Sequence, residues 1–131
     1  MKIIHNEKPP IYERCAEQFG ASWDAGSIFT YGDTIYCKFE IPEDYLIHEM
    51  VHVKQQMEMG KDAWWDRYFV DDEFRFQQEV MAYSEQFKWV CKRIKGREQI
   101  FNKLKQYALQ LSSPLYGNLV SFITAMRVIK S

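Results

Sequence analysis

The chain has 131 residues, of which 47% are hydrophobic and 27% are charged, and its formal net charge is −1. These proportions are those of an ordinary globular domain, and they exclude a disordered tail, a collagen-like repeat and a coiled-coil rod. No stretch approaches the roughly 18 uncharged apolar residues of a membrane span, and the first ten residues contain no apolar signal-peptide region.

Residues 1–26 are divided by a pair of prolines into a strand-like stretch and a short helical stretch. We interpret them as a packing or regulatory segment. A β-hairpin is predicted next, because residues 27–31 and 34–40 are rich in β-branched and aromatic side chains and flank a Gly32-Asp33 turn.

Four further helices are predicted from apolar residues that recur at helical spacing. They span residues 43–59, 72–94, 98–111 and 115–129, with a loop or short helix at 61–70. Pro42 and Gly60 bound the first of them, since proline favours the first turn of a helix and glycine follows its end. The predicted core-facing stripe of this helix consists of Leu46, Met50, Val53 and Met57. Residues 1–131 are thus predicted to form one α+β domain, mostly helical, with a small antiparallel sheet packed on the 43–59 helix.

The 43–59 helix contains His48-Glu49-Met50-Val51-His52, which matches the His-Glu-x-x-His signature of zinc peptidases. Residues four apart lie on one face of a helix, so the imidazoles of His48 and His52 can reach the same ion. Zinc binds nitrogen at about 2.0–2.1 Å, and a catalytic site keeps one position for water. The ion lowers the pKa of that water to about 7, and Glu49 is placed to take its proton as general base.

A catalytic zinc site requires a third protein ligand, and no histidine follows His52. A glutamate of the 72–94 helix is the natural candidate. Glu79 lies at the edge of the predicted core stripe of that helix, from which its carboxylate can point inward. Glu73, on the opposite edge, and Asp72 remain alternatives at this stage of the argument.

The motif of residues 48–52, followed by a separate helix that bears Glu79, resembles the gluzincin zinc metallopeptidases. It is most similar to their minimal single-domain members among small bacterial and phage-encoded zincins, over about residues 28–90. The resemblance implies a zincin-like fold and a peptide or protein substrate that pairs with the strand at 34–40. It also implies a site in which Glu49 is the general base and Zn²⁺ is bound by His48, His52 and Glu79.

The sequence departs from the larger gluzincins in two respects. Gln78 stands where an asparagine often precedes the third ligand, and their C-terminal domain has no counterpart in these 131 residues.

Stabilisation of the transition state requires a hydrogen-bond donor directed at the developing oxyanion. Tyr83 is the candidate that we assign to this role, with Tyr31 and Tyr116 as alternatives. Cys15 or Cys37 could instead ligate the zinc and hold the enzyme latent, although free cysteine is more often buried filler. Because the three cysteines are scattered and form no framework, we predict free thiols and a cytoplasmic protein without a membrane partner.

A non-catalytic binding module is the main alternative to a peptidase. Residues 1–86 carry 8 basic and 17 acidic side chains, whereas residues 87–131 carry 9 basic side chains and one acidic. The basic residues at 88–105 lie beside Trp89 and Phe101, a pattern typical of surfaces that bind nucleic acid or an acidic protein. A sequence pI of about 6.3 instead favours a solvated helix face. A third alternative is a catalytically silent domain that binds zinc as a structural clamp.

Overall fold

Six helices and a small sheet make up the protein, in a computed structural model that describes residues 1–131 and is 64% helical. The strands are β1 (Lys2–Ile4), β2 (Phe29–Tyr31) and β3 (Thr34–Tyr36). The helices are α1 (Tyr12–Phe19), α2 (Glu43–Met59), α3 (Lys61–Val70), α4 (Asp72–Arg93), α5 (Arg97–Leu111) and α6 (Phe122–Lys130). The predicted α+β, mostly helical class is confirmed.

The sheet is mixed, and the predicted antiparallel pairing applies to the hairpin and not to β1. Its order is β1-β3-β2: β2 pairs with β3 antiparallel across the hairpin turn, whereas β1 pairs with β3 in parallel, with Lys2 opposite Thr34. The chain between β1 and β3 contains α1 and β2, which supplies the long connection that a parallel pair requires.

Gln56 attaches the hairpin to α2. Its amide oxygen accepts a hydrogen bond of 2.7 Å from the backbone N–H of Gly32, and its amide nitrogen donates to the carbonyl of Thr30 at 2.9 Å. Gly32 has φ +67°, a left-handed conformation that glycine adopts without a steric cost. The sheet is therefore fixed in register against the helix that carries the His-Glu-x-x-His motif.

Helix α2 buries its polar face, contrary to the predicted core stripe. Met50 and Met57 are 44% and 65% exposed, and Leu46 and Val53 are only half-buried. The buried side chains are instead Asp44, His48, Glu49, His52, Gln55 and Gln56. This arrangement is stable because these groups find hydrogen-bond partners inside the protein, and buried polar groups cost little when they are paired.

Two apolar clusters flank α2. The first joins α1, β2 and α3 around Phe19, Phe29 and Trp64, and the second joins α4, α5 and α6 around Phe87, Leu104 and Ile129. Helix α2 packs mainly on α4, which contributes Tyr83, Phe87 and Val90 to the second cluster and packs Phe74 against the first. No helix combines the length and the apolar character that a bilayer span demands.

The last helix begins later than predicted. A helix was predicted at 115–129, but the chain first forms a 3-10 turn at Pro114–Tyr116, which the hydroxyl of Ser113 caps. Helix α6 starts at Phe122, where Ser121 accepts a hydrogen bond from the backbone N–H of Thr124. Gly117 and Asn118 between them have positive φ values of 89° and 56°, which cannot continue a helix.

Candidate metal centre

The buried side chains of His48, His52 and Glu79 meet where α2 packs on α4. Nε2 of each histidine lies 3.1 Å from Oε1 of Glu79, and the two Nε2 atoms are 3.2 Å apart. None of the three residues is more than 4% exposed. The structure therefore places the three predicted ligand residues together, with one donor atom of each directed at a common point.

The spacing of these three atoms fits a zinc ion. Ligands that bind zinc tetrahedrally at about 2.0–2.1 Å are separated from one another by about 3.3 Å. The observed separations are 3.1, 3.1 and 3.2 Å. Two imidazole nitrogens and one carboxylate oxygen also form a donor set that catalytic zinc sites use.

The Nδ1 atom of each imidazole is hydrogen-bonded to a glutamine side chain. Nδ1 of His48 is 3.0 Å from Oε1 of Gln86, and Nδ1 of His52 is 2.8 Å from Oε1 of Gln55. Because an amide oxygen can only accept, each Nδ1 donates, and the Nε2 atoms are directed at the common point. Such outer partners fix ring orientation and tautomer in metal sites.

Tyr68 holds the third ligand. Its hydroxyl donates a hydrogen bond of 2.6 Å to Oε2 of Glu79, which leaves Oε1 directed at the histidines. Burial alone would raise the pKa of Glu79, but the adjacent imidazoles hold it well below its usual range, so the carboxylate is ionised.

Glu49 lies beside the three residues without joining them. Its Oε2 is 3.8 Å from Nε2 of His48, and its Oε1 accepts a hydrogen bond of 2.9 Å from the hydroxyl of Thr30. Burial raises the pKa of Glu49, and the two imidazoles oppose that shift. A carboxylate with a raised pKa next to a candidate metal point has the position and basicity expected of a general base.

A cavity of about 200 Å³ opens onto these residues. It is lined by Glu49, by the three candidate ligands and by eight residues with aromatic rings. Its volume greatly exceeds the roughly 10–15 Å³ that one water molecule requires, so the cavity has room for a larger molecule.

Tyr83 lies in this cavity against the candidate metal ligand His48, with their ring centroids 4.4 Å apart. Its hydroxyl is 2.7 Å from that of Tyr116 and 3.3 Å from Oε1 of Gln110. Burial raises the pKa of both tyrosines well above the usual range, so both remain neutral and can donate a hydrogen bond. Two of the three tyrosines considered for the oxyanion therefore reach the cavity.

Several alternatives from the sequence lie elsewhere. Glu73 is exposed and accepts a hydrogen bond from Gln77, and Asp72 pairs with Arg75, so neither reaches the centre. Tyr31 donates to Asp62 at the surface. Of the two cysteines proposed as a latch, Cys15 lines the cavity, whereas Cys37 does not.

The strand expected to border the cleft was assigned incorrectly. Residues 34–40 were expected to line it, but β3 is the central strand and is paired on both sides. The cavity is bordered instead by residues 26–30, which lead into and include part of the edge strand β2. The reason is the parallel pairing of β1, which covers the far edge of β3.

Four supporting residues were not assigned a role in the centre from the sequence. Gln55 and Gln86 carry a periodic signal, since they lie three residues after His52 and seven after Glu79, on the faces that bear those ligands. Thr30 and Tyr68 carry no such signal, because their contacts depend on how β2 and α3 pack.

The basic residues at 88–105 lie away from this centre, at the α4–α5 connection. Most of them are exposed, and Lys103 forms an ion pair with Asp44 of α2. Lys88 pairs with Glu85 within its own helix.

Comparisons of the chain with protein-family models, with curated proteins and with solved structures find no match.

Proposed function

We propose that the protein is a zinc-dependent peptidase of the gluzincin type, which hydrolyses peptide bonds with an activated water. The observation that supports this proposal is the convergence of Nε2 of His48, Nε2 of His52 and Oε1 of Glu79 in a cavity that also contains Glu49. When bound, a zinc ion supplies the Lewis acidity that makes water a nucleophile near neutral pH.

Glu49 serves as the general base in this proposal. Thr30 holds one of its carboxylate oxygens at 2.9 Å, while the other lies 3.8 Å from the imidazole of His48. A proton taken from the attacking water is then carried by Glu49 to the leaving amine, as microscopic reversibility of acid–base catalysis permits.

Tyr83 and Tyr116 supply the donor for the developing oxyanion. Their hydroxyls are 2.7 Å apart and already share one hydrogen, so the second hydrogen can turn toward a substrate carbonyl in the cavity. Removal of one such donor typically lowers kcat by about 10²–10³-fold. The proposed substrate is a peptide or protein, and the cytoplasmic location stays a prediction.

Elemental analysis of the purified protein tests the metal centre. We expect close to one zinc per chain in the wild-type protein and in Glu49→Gln, and loss of zinc in His48→Ala and Glu79→Gln. Glu73→Gln is the matched control, because it removes an exposed glutamate from the same helix and should retain the metal.

Cleavage of a mixed peptide library tests the chemistry. Wild-type protein should cleave it, and Glu49→Gln, although loaded with zinc, should not. Zinc binding without any cleavage by the wild-type protein would instead identify a structural zinc domain. A protein that binds no zinc would contradict the proposal altogether.

A further inference from the structure

The wall of the cavity carries no charge apart from the centre itself. The cavity is lined by 21 residues, and none of them is a lysine, an arginine or an aspartate. Its two glutamates are Glu49 and Glu79, which belong to the centre. Cys15 adds no charge at neutral pH, because burial raises the pKa of its thiol to about 12.

The two indole nitrogens of the wall are already engaged. The indole nitrogen of Trp65 donates to the carbonyl of Thr30 at 2.9 Å, and that of Trp64 donates to Gln78 at 2.8 Å. The only buried side-chain nitrogen or oxygen in the protein without a hydrogen-bond partner is Nε2 of Gln86, a residue that does not line the cavity. A polar group entering the part of the cavity beside Trp64 and Trp65 would therefore lose its water and find both indole nitrogens already paired.

The inner wall comes from a part of the chain that carries none of the catalytic motif. Cys15, Phe19 and Ala21 lie in or just after α1, and they face the same space as Trp64 and Trp65 of α3. These five residues are at most 9% exposed. The space is thus a recess that extends from the centre into the first apolar cluster, with small side chains at Cys15 and Ala21.

We propose that this recess is a specificity pocket for one uncharged, apolar side chain next to the scissile bond. The inference rests on the proposed function, since the centre determines which bond is cleaved. This pocket would give residues 1–26 a third role, in which α1 and Ala21 form part of the pocket wall. Leucine-like and phenylalanine-like side chains gain from burial here, whereas a carboxylate or an ammonium would be desolvated without a partner.

Binding can be tested without turnover by using zinc-loaded Glu49→Gln. The probes are the N-acetyl amides of leucine, asparagine and aspartate, which are nearly equal in size and differ in polarity and charge. Quenching of the indole fluorescence of Trp64 and Trp65 reports occupancy of the recess. We expect the leucine amide to bind at least about tenfold more tightly than the other two, a ratio typical of apolar pockets.

Two variants that replace an alanine by leucine locate the binding site. Ala21→Leu fills the recess and should reduce binding of the leucine amide at least about fivefold, as expected when a pocket loses its volume. Ala63→Leu makes the same change on the exposed face of α3 and should leave binding unaltered. Leu115→Ala, at the partly exposed rim, provides a second variant in case Ala21→Leu does not fold.

Equal or tighter binding of the aspartate amide would overturn the pocket assignment, as would an unchanged leucine affinity in folded Ala21→Leu. Selective leucine binding by a protein that cleaves no peptide would support the pocket and contradict the peptidase. The two proposals can therefore fail separately.

Discussion

Thr30 positions Glu49 through a single hydrogen bond of 2.9 Å between buried side chains. We predict that Thr30→Val, which keeps the shape and removes the hydroxyl, lowers kcat by about 10- to 100-fold, the usual effect of a misplaced catalytic group. The bond also lowers the pKa of Glu49, so its loss should raise that pKa and shift the acidic limb of the kcat/KM profile to higher pH.

Rate measurements from pH 5 to 9 check this prediction, and Thr30→Ser is the matched control because it restores the hydroxyl. A Thr30→Val enzyme with a wild-type profile would show that the hydrogen bond does not position the base.

His52 carries a proton in the metal-free protein. Burial would lower its pKa, but the carboxylate of Glu79 at 3.1 Å raises it to about 9. Because zinc binds only the neutral imidazole, we predict that zinc binding at pH 7 releases about one proton from His52, and that this release declines as the pH rises through 9.

Calorimetric titrations with zinc in buffers of different ionisation enthalpy measure the released protons. Release that does not depend on pH between 7 and 10 would contradict the pairing of His52 with Glu79.

The two histidines and Glu79 could be predicted because helical periodicity alone places them. His48 and His52 share a face through their spacing, and Glu79 was preferred by its angle relative to the apolar residues of its helix. Tyr68 could not be predicted in the same way, since its bond to Glu79 depends on the angle at which α3 returns to α4. No pattern within either helix records that angle.

Arg75 connects three elements through one buried guanidinium. It donates from Nε to the carbonyl of Tyr116 at 2.8 Å and from Nη1 to the carbonyl of Tyr68 at 2.6 Å, and it pairs with Asp72. It thereby fixes the backbone of two residues whose side chains enter the cavity. The turn at Gly117 also lies close to Arg75. A Cβ atom added to Gly117 would be 3.1 Å from Nη2 of Arg75.

We predict that Arg75→Met lowers the free energy of unfolding by about 1.5–3 kcal/mol, the value of hydrogen bonds from a charged group to buried acceptors. Urea unfolding measures the change. Arg75→Lys should recover little stability, because an ammonium cannot reproduce the fork of the guanidinium. Full recovery by lysine would show that charge matters here and geometry does not.

Helix α2 shows why the direction of burial could not be predicted from apolar spacing. Leu46, Met50, Val53 and Met57 form a regular stripe, yet the opposite polar face is the buried one. The spacing of apolar residues indicates that a helix has two distinct faces. Which face is buried depends on where its polar side chains form hydrogen bonds. Here Gln56 finds the hairpin and His48 finds Gln86.

Charge is divided unevenly along the chain, with most acidic residues before position 87 and most of the later charged residues basic. Exposed cations without an ion-pair partner cover α5, α6 and the end of α4, namely Lys92, Arg93, Lys95, Arg97, Lys105, Arg127 and Lys130. Salt screens interactions between charges more than about 8–10 Å apart. A polyanion bound at this surface would therefore be attracted by the local cations, whatever the net charge of −1.

We predict that the protein binds a heparin column at pH 7 despite its pI of about 6.3 and elutes as salt is raised. Lys92→Glu combined with Arg97→Glu should lower the eluting salt concentration. Lys2→Glu combined with Lys54→Glu changes the net charge equally on β1 and α2, outside this surface, and should have little effect. Equal effects of the two pairs would show that net charge governs retention.

The exposed methionines of α2 differ from its buried histidines in their access to oxidants. Met50, Met57 and Met59 are 39–65% exposed, whereas the imidazoles of the same helix are buried. An oxidant in solution therefore reaches the thioethers of these methionines before the imidazoles. Methionine sulfoxides would form on the exposed face of the helix. Peroxide could in this way alter the surface of the protein while the ligands one helical face away stay chemically intact.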